Sequence, residues 1–183
     1  MKATQQLKDE HKGVMVMLGI LERLCGRLEK TAQLDRGHFE SILEFLKVFV
    51  DKCHHGKEEE LLFPALEAAG VPKDGPIRVM LEEHERGRTY IRAMSAAFEN
   101  PAAGDEAASQ QILRNGRDYI ALLRGHIDKE DNILFAKGDR LLSQTTQHEL
   151  FEGFEKIEAE RIGAGRHEAF HSLLEELSDI YRS

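Results

Sequence analysis

No tryptophan occurs in this 183-residue chain, aromatic residues are 7% of it, and it holds only two cysteines and four prolines. Each scarcity removes a class of structure. Cys25 and Cys53 make neither a C-x-x-C pair nor a disulfide-rich spacing, so a disulfide framework is excluded and a reducing, cytoplasmic setting is expected. Cys53 stands beside His54, yet a small buried hydrophobe is its expected role. Basic blocks are also missing: 25 Lys and Arg face 33 Asp and Glu, a formal net charge of −8, so nucleic acid is not an expected partner. The longest apolar run near the N-terminus, Val14 to Leu21, is too short to span a bilayer and follows Lys8-Asp9-Glu10-His11-Lys12. Neither a membrane span nor a secretory signal is therefore expected. Runs of β-branched or alternating residues are scarce as well, which leaves helix as the main element.

What is present is an internal repeat. His54-His55-Gly56-Lys57-Glu58-Glu59-Glu60-Leu61-Leu62-Phe63 and His126-Ile127-Asp128-Lys129-Glu130-Asp131-Asn132-Ile133-Leu134-Phe135 both read H-x-x-K-E-x-x-[LI]-L-F. On a helix, His54 and Glu58 lie one turn apart on one face, as do His126 and Glu130, so each pair can grip one cation. Upstream of each motif stands another His behind an acid, Glu10-His11 and Glu83-His84. The unit H…H-x-x-x-E thus occurs twice, implying two equivalent helical hairpins that face each other.

Periodicity places these residues on apolar seams. A first helix over residues 4 to about 30 aligns Leu7, His11, Val14, Leu18, Leu21, Cys25 and Leu28. A second, from an Asp35 N-cap to about 69, turns Leu43, Leu46, Val50, His54, Glu58, Leu61 and Ala65 inward, with a kink expected at Pro64. A third begins at Pro76 and runs to about 99 along Ile77, Met80, His84, Gly87, Ile91, Met94 and Phe98. Asn100-Pro101-Ala102-Ala103-Gly104 breaks the chain before a fourth, about 105 to 137, with Ile112, Gly116, Tyr119, Leu123, His126, Glu130 and Ile133 on its seam. Short loops favour an antiparallel up-down-up-down four-helix bundle over residues 1–140. Residues 141–183 form a helical C-terminal extension, split near Gly163-Ala164-Gly165, that packs on the bundle.

An ionised Glu buried without a partner costs several kcal/mol, and two are expected inside this bundle with no Lys or Arg on the same seams. Two divalent cations bridged by Glu58 and Glu130 would satisfy them. Four histidines suit iron, manganese or zinc and not an all-oxygen calcium or magnesium site. His55 has Ile127 as its counterpart; it lies about 100° from His54 round a helix, either within reach of the second metal or on the flank. Lys57, Lys129, Glu59 and Glu60 are expected on solvated flanks. His167 and His171 form an i,i+4 pair read as surface histidines, and Tyr119 is read as a core tyrosine with a satisfied hydroxyl.

At these residues, over about 7 to 137, the chain resembles the hemerythrin-like, or HHE cation-binding, family. The resemblance implies a four-helix bundle around two iron ions in a non-haem centre. His11, His54, His84 and His126 would be terminal ligands and Glu58 and Glu130 bridges. It further implies a small ligand such as O2, NO or peroxide, bound or sensed, or a role in handling iron. The alternatives are a small di-iron oxidoreductase, reducing peroxide or oxidising iron, and a protein for repair of iron centres. Oxygen carriers of the family have H-x-x-x-H where this chain has His84-x-x-x-Arg88, and H-x-x-x-x-D where it has His126-x-x-x-Glu130, so oxygen transport is not the expected role. Homo-oligomerisation is left open.

Overall fold

The computed structural model describes residues 2–100, 105–163 and 165–182. The breaks expected at residues 101–104 and 164 lie outside the described residues. No strand occurs among the described residues, and the fold is an all-α bundle. The chain runs through α1 (Ala3–Thr31), α2 (Arg36–Phe45), α3 (Phe63–Ala68), α4 (Arg78–Glu99), α5 (Asp105–Lys129), α6 (Phe135–Leu141), α7 (Gln144–Arg161) and α8 (Arg166–Ile180). Asp35 caps α2 as expected, its carboxylate accepting from the His38 N–H at 3.0 Å. Gly75, at φ −115° and ψ −126°, ends the turn before Pro76 and so starts the helix that continues as α4.

The main departure from expectation is in the winding. Between α2 and α3 the helix is π-wound over Leu46–His55 and again over Glu58–Leu62, and α5 passes into α6 through a π turn at Glu130–Leu134. The Phe63 N–H thus donates to the Glu58 carbonyl, and the Phe135 N–H to that of Glu130. A π turn inserts one residue into the helical register. The inward phase after each Glu therefore falls on Leu62, Phe63 and Leu66, and on Leu134 and Phe135, all nearly inaccessible to solvent. Ile133, expected on the seam, is 59% exposed, and Leu61 and Ala65 are only partly buried. The repeated Leu-Phe pair thus closes the core directly beyond each acid. Pro64 needs no separate kink, because it falls in the first turn of α3 just after this π turn.

Two apolar clusters result. One runs from Val14 along α1 with Ile42, Val50, Ile91, Met94, Ile112 and Leu123; the other gathers Leu7, Leu62, Phe63, Leu66, Met80, Leu134 and Phe135. The histidines and acids of the repeat sit in the layer between them. The helices after residue 141 lie against α1, α7 also touching the π-wound segments. Gly163 and Gly165, both at φ above 80°, make the turn between α7 and α8 that a side chain would strain. Gly153 lets α7 approach closely, since a Cβ there would meet Leu61 Cδ1 at 2.7 Å. Buried Phe154 joins the second cluster, while Phe170, Leu174 and Leu177 join the first.

Candidate metal centre

All seven residues predicted as ligands are buried, and the fold brings them into two groups. His11, His54, Glu58 and Glu130 present ligand atoms within 4.8 Å of one another, as do His55, Glu58, His84 and His126. Glu58 belongs to both groups, its Oε1 lying 3.4 Å from His54 Nε2 and its Oε2 3.4 Å from His84 Nε2. Glu130 Oε2 stands 3.3 Å from His11 Nε2 and 3.2 Å from His126 Nε2. None of the four oxygens of these two acids makes a hydrogen bond, although both residues are inaccessible to solvent.

Those orphaned oxygens test whether a cation fits. Two ionised carboxylates in the core require positive charge between them, and the imidazole nitrogens 3.2–3.4 Å away make no hydrogen bond to them. The imidazoles themselves are paired nitrogen to nitrogen, His54 Nε2 to His11 Nε2 at 2.9 Å and His84 Nε2 to His126 Nε2 at 3.1 Å. Two nitrogens held at right angles about 2.1 Å from one ion stand about 3 Å apart. The donor set and its spacing fit metal.

Each of these imidazoles is aimed by a carboxylate on its far nitrogen, and the repeat supplies these too. Glu10 Oε2 meets His54 Nδ1 at 2.7 Å, and Glu83 Oε2 meets His126 Nδ1 at 2.9 Å. Glu59 Oε1 lies 2.7 Å from His84 Nδ1, and Asp131 Oδ1 lies 2.8 Å from His11 Nδ1. A carboxylate on Nδ1 fixes the tautomer that leaves Nε2 free to bind. The acid before each upstream His and the acid after each inner Glu occupy equivalent places in the two halves. That equivalence is the signal the sequence carries for these four acids.

Three expectations fail here. Lys57 is inaccessible to solvent, donating to Glu10 Oε1 at 2.6 Å and Glu158 Oε2 at 2.9 Å, and is no solvated flank. Its counterpart Lys129 donates to Glu83 from a more open position. Glu59 is half-buried against His84 and Arg88 because the π turn rotates it toward α4. Tyr119, 1% exposed, has a hydroxyl without a hydrogen-bond partner, where a satisfied one was expected. His55 stacks on His84 with ring centroids 3.8 Å apart. Adjacent His54 and His55 are both buried, in a segment that is π-wound over Leu46–His55. The second half has no such winding before its motif, and Ile127 stands there as a buried apolar residue.

Electrostatics follow the same division. Burial disfavours charge on His54, but Glu58 and Glu10 overcome it and raise its pKa to about 10. Burial likewise opposes His84, which Glu58 and Glu59 raise to about 9. For His11, burial is outweighed by Asp131 and Glu130, and its pKa also rises. Burial would raise Glu58, yet His54 and His84 hold it well below the usual carboxylate range. Glu130, opposed by burial and by Glu58, is lowered to about 2 by His126 and His11. His55 is the exception: burial and the charge on His84 push it down to about 3, leaving a neutral imidazole. The two acids thus stay ionised and favour the protonated forms of His11, His54 and His84, places a bound cation would take over. Cys53 belongs to neither group, and burial pushes its thiol up to about 12.

The fold and this cluster define a metal-binding helical protein. The chain belongs to the hemerythrin HHE cation binding domain family, whose model matches residues 2–137. It is similar to uncharacterized proteins of Mycobacterium bovis and Mycobacterium tuberculosis, each 27% identical over 181 residues, covering 99% of this chain and 69% of the relative. No solved structure matches it. No helix among the described residues is long and apolar enough to cross a membrane.

Proposed function

We propose that the cluster holds two iron ions and that the protein binds or senses a small oxidant, O2, NO or peroxide. The observation that carries this reading is Glu58, buried without a hydrogen bond, with one oxygen toward His54 and the other toward His84. His11 and His54 would hold one ion, His84, His126 and His55 the other, with Glu58 and Glu130 shared. Zinc or manganese would also suit these donors. When bound, the iron pair supplies reversible binding or reduction of the small molecule.

The remaining work belongs to the chain. Glu10, Glu59, Glu83 and Asp131 keep the imidazoles aimed, and the buried Leu62-Phe63 and Leu134-Phe135 pairs exclude water from below. On the other side His11, His54, His55 and His126 border a tight recess walled by Val14, Val50, Leu123 and Ile127. It is packed shut in this conformation, with no room for an organic substrate. Residues 1–140 are in this reading the metal-binding unit and residues 141–183 its cover, with Glu158 reaching in to Lys57. The test is anaerobic reduction of iron-loaded protein followed by exposure to O2 or NO. A change in the visible spectrum is expected, and an unaltered spectrum would overturn the reading.

The unpartnered hydroxyl of Tyr119 supports a second reading, a di-iron oxidoreductase that reduces peroxide or oxidises iron. Burial keeps this phenol protonated, available as a donor. Peroxide turnover should then fall in Tyr119→Phe while metal content holds. Equal turnover in the two proteins would remove this reading.

A further inference from the structure

Outside the buried cluster, one other pair of imidazoles among the described residues meets nitrogen to nitrogen. His171 Nε2 lies 2.9 Å from His167 Nε2, one turn apart on α8. Glu158 Oε1 stands 2.8 Å from His167 Nδ1. The facing Nε2 atoms repeat the 2.9 Å spacing of the buried His11 and His54; there both Nδ1 atoms hydrogen-bond carboxylates, whereas here a carboxylate approaches His167 alone, without hydrogen-bond geometry. Two imidazoles that close share one proton between their facing nitrogens, and a divalent ion can replace it with little movement of either ring.

The surroundings favour a cation. The pair borders a cleft of about 310 Å³ between α1, the α2 segment, α7 and α8, with Asp9 and Glu155 also on its wall and no Lys or Arg lining it. Phe49 packs edge-on against the His167 ring, with centroids 5.9 Å apart. Glu158 is itself anchored, since its other oxygen accepts from the buried Lys57 at 2.9 Å. The ligand pair is therefore seated rather than loose on the surface. It also lies beyond residues 2–137, so it is no part of the family's own domain.

We propose that His167 and His171 form a second, solvent-facing site for one divalent transition-metal ion, with water completing the coordination. Imidazole donors favour zinc, copper, nickel or ferrous iron over calcium or magnesium. The test is calorimetric titration of Zn²⁺ into protein whose buried cluster is already loaded and freed of excess metal. One further ion per chain is expected, and His171→Gln, at an exposed position, should weaken it at least tenfold while buried metal content stays the same. Cu²⁺ bound at this site should show coupling to two nitrogens by electron paramagnetic resonance, reduced to one in the variant. No additional ion, or equal affinity in His171→Gln, would overturn the proposal. Because the comparison is with His171→Gln, failure of the buried iron reading would leave this outcome readable.

Discussion

Replacing Glu58 by Gln keeps the shape of the side chain and removes one charge at the residue common to both ligand groups. Loss of residues that only orient metal ligands typically weakens affinity 10–100-fold, so a shared ligand should cost at least about 100-fold. A 100-fold loss of affinity removes about 2.7 kcal/mol of metal-linked stability per ion. For a domain of this length about 2–4 °C of melting temperature corresponds to each kcal/mol, giving a fall of about 5–11 °C per ion affected. The assay is thermal unfolding by circular dichroism at pH 7, loaded and metal-free, on both proteins. The loaded wild type should melt well above its metal-free form, and Glu58→Gln should lose most of that gap. Metal-free, the variant should be less stable than wild type near pH 6, where protonated His54 and His84 face the carboxylate, and this deficit should shrink or reverse above pH 10. If loaded and metal-free wild type melt together, or Glu58→Gln retains the full gap, the reasoning about the buried acids is refuted.

The metal-free protein should be most stable near pH 6.5. Above that, the folded-state pKa values of His54 and His84, raised to about 10 and about 9, mean that stability present below pH 6.5 is lost as pH rises through them. Below it, His55, held down to about 3, must stay neutral while the unfolded chain takes up a proton, so stability falls again. A melting temperature that climbs steadily from pH 6.5 to 9.5 would contradict this. Lys57→Met should cost about 3 kcal/mol, because Glu10 and Glu158 lose a buried partner, whereas Lys129→Met at its half-open site should cost about 1 kcal/mol or less; urea unfolding of both variants makes the comparison. The thiols of Cys25 and Cys53, pushed by burial to about 11 and about 12, should resist a thiol reagent at pH 8 until the protein is unfolded.

The histidines and acids of the centre were readable because helical spacing and the two-fold repeat act on the same residues. His11, His54, His84 and His126 all fall on apolar stripes, and all four are core residues. The π turns were not readable, since nothing in the residue pattern marks a carbonyl that accepts from five residues on instead of four. Ile133, on the seam by helical spacing, is exposed for that reason. The burial of Lys57 depends on Glu158, which arrives from α7 some hundred residues away and has no partner in the repeat. Glu59 and Asp131 could have been found, because an acid follows the inner Glu in both halves, but flank positions are solvated unless the register shifts.

Elemental analysis of protein expressed and purified without added metal tests the central claim most directly. The account predicts about two irons per chain, reduced to one or none in Glu58→Gln. Protein that carries no metal at all, yet is folded and fully stable in strong chelator, would contradict it.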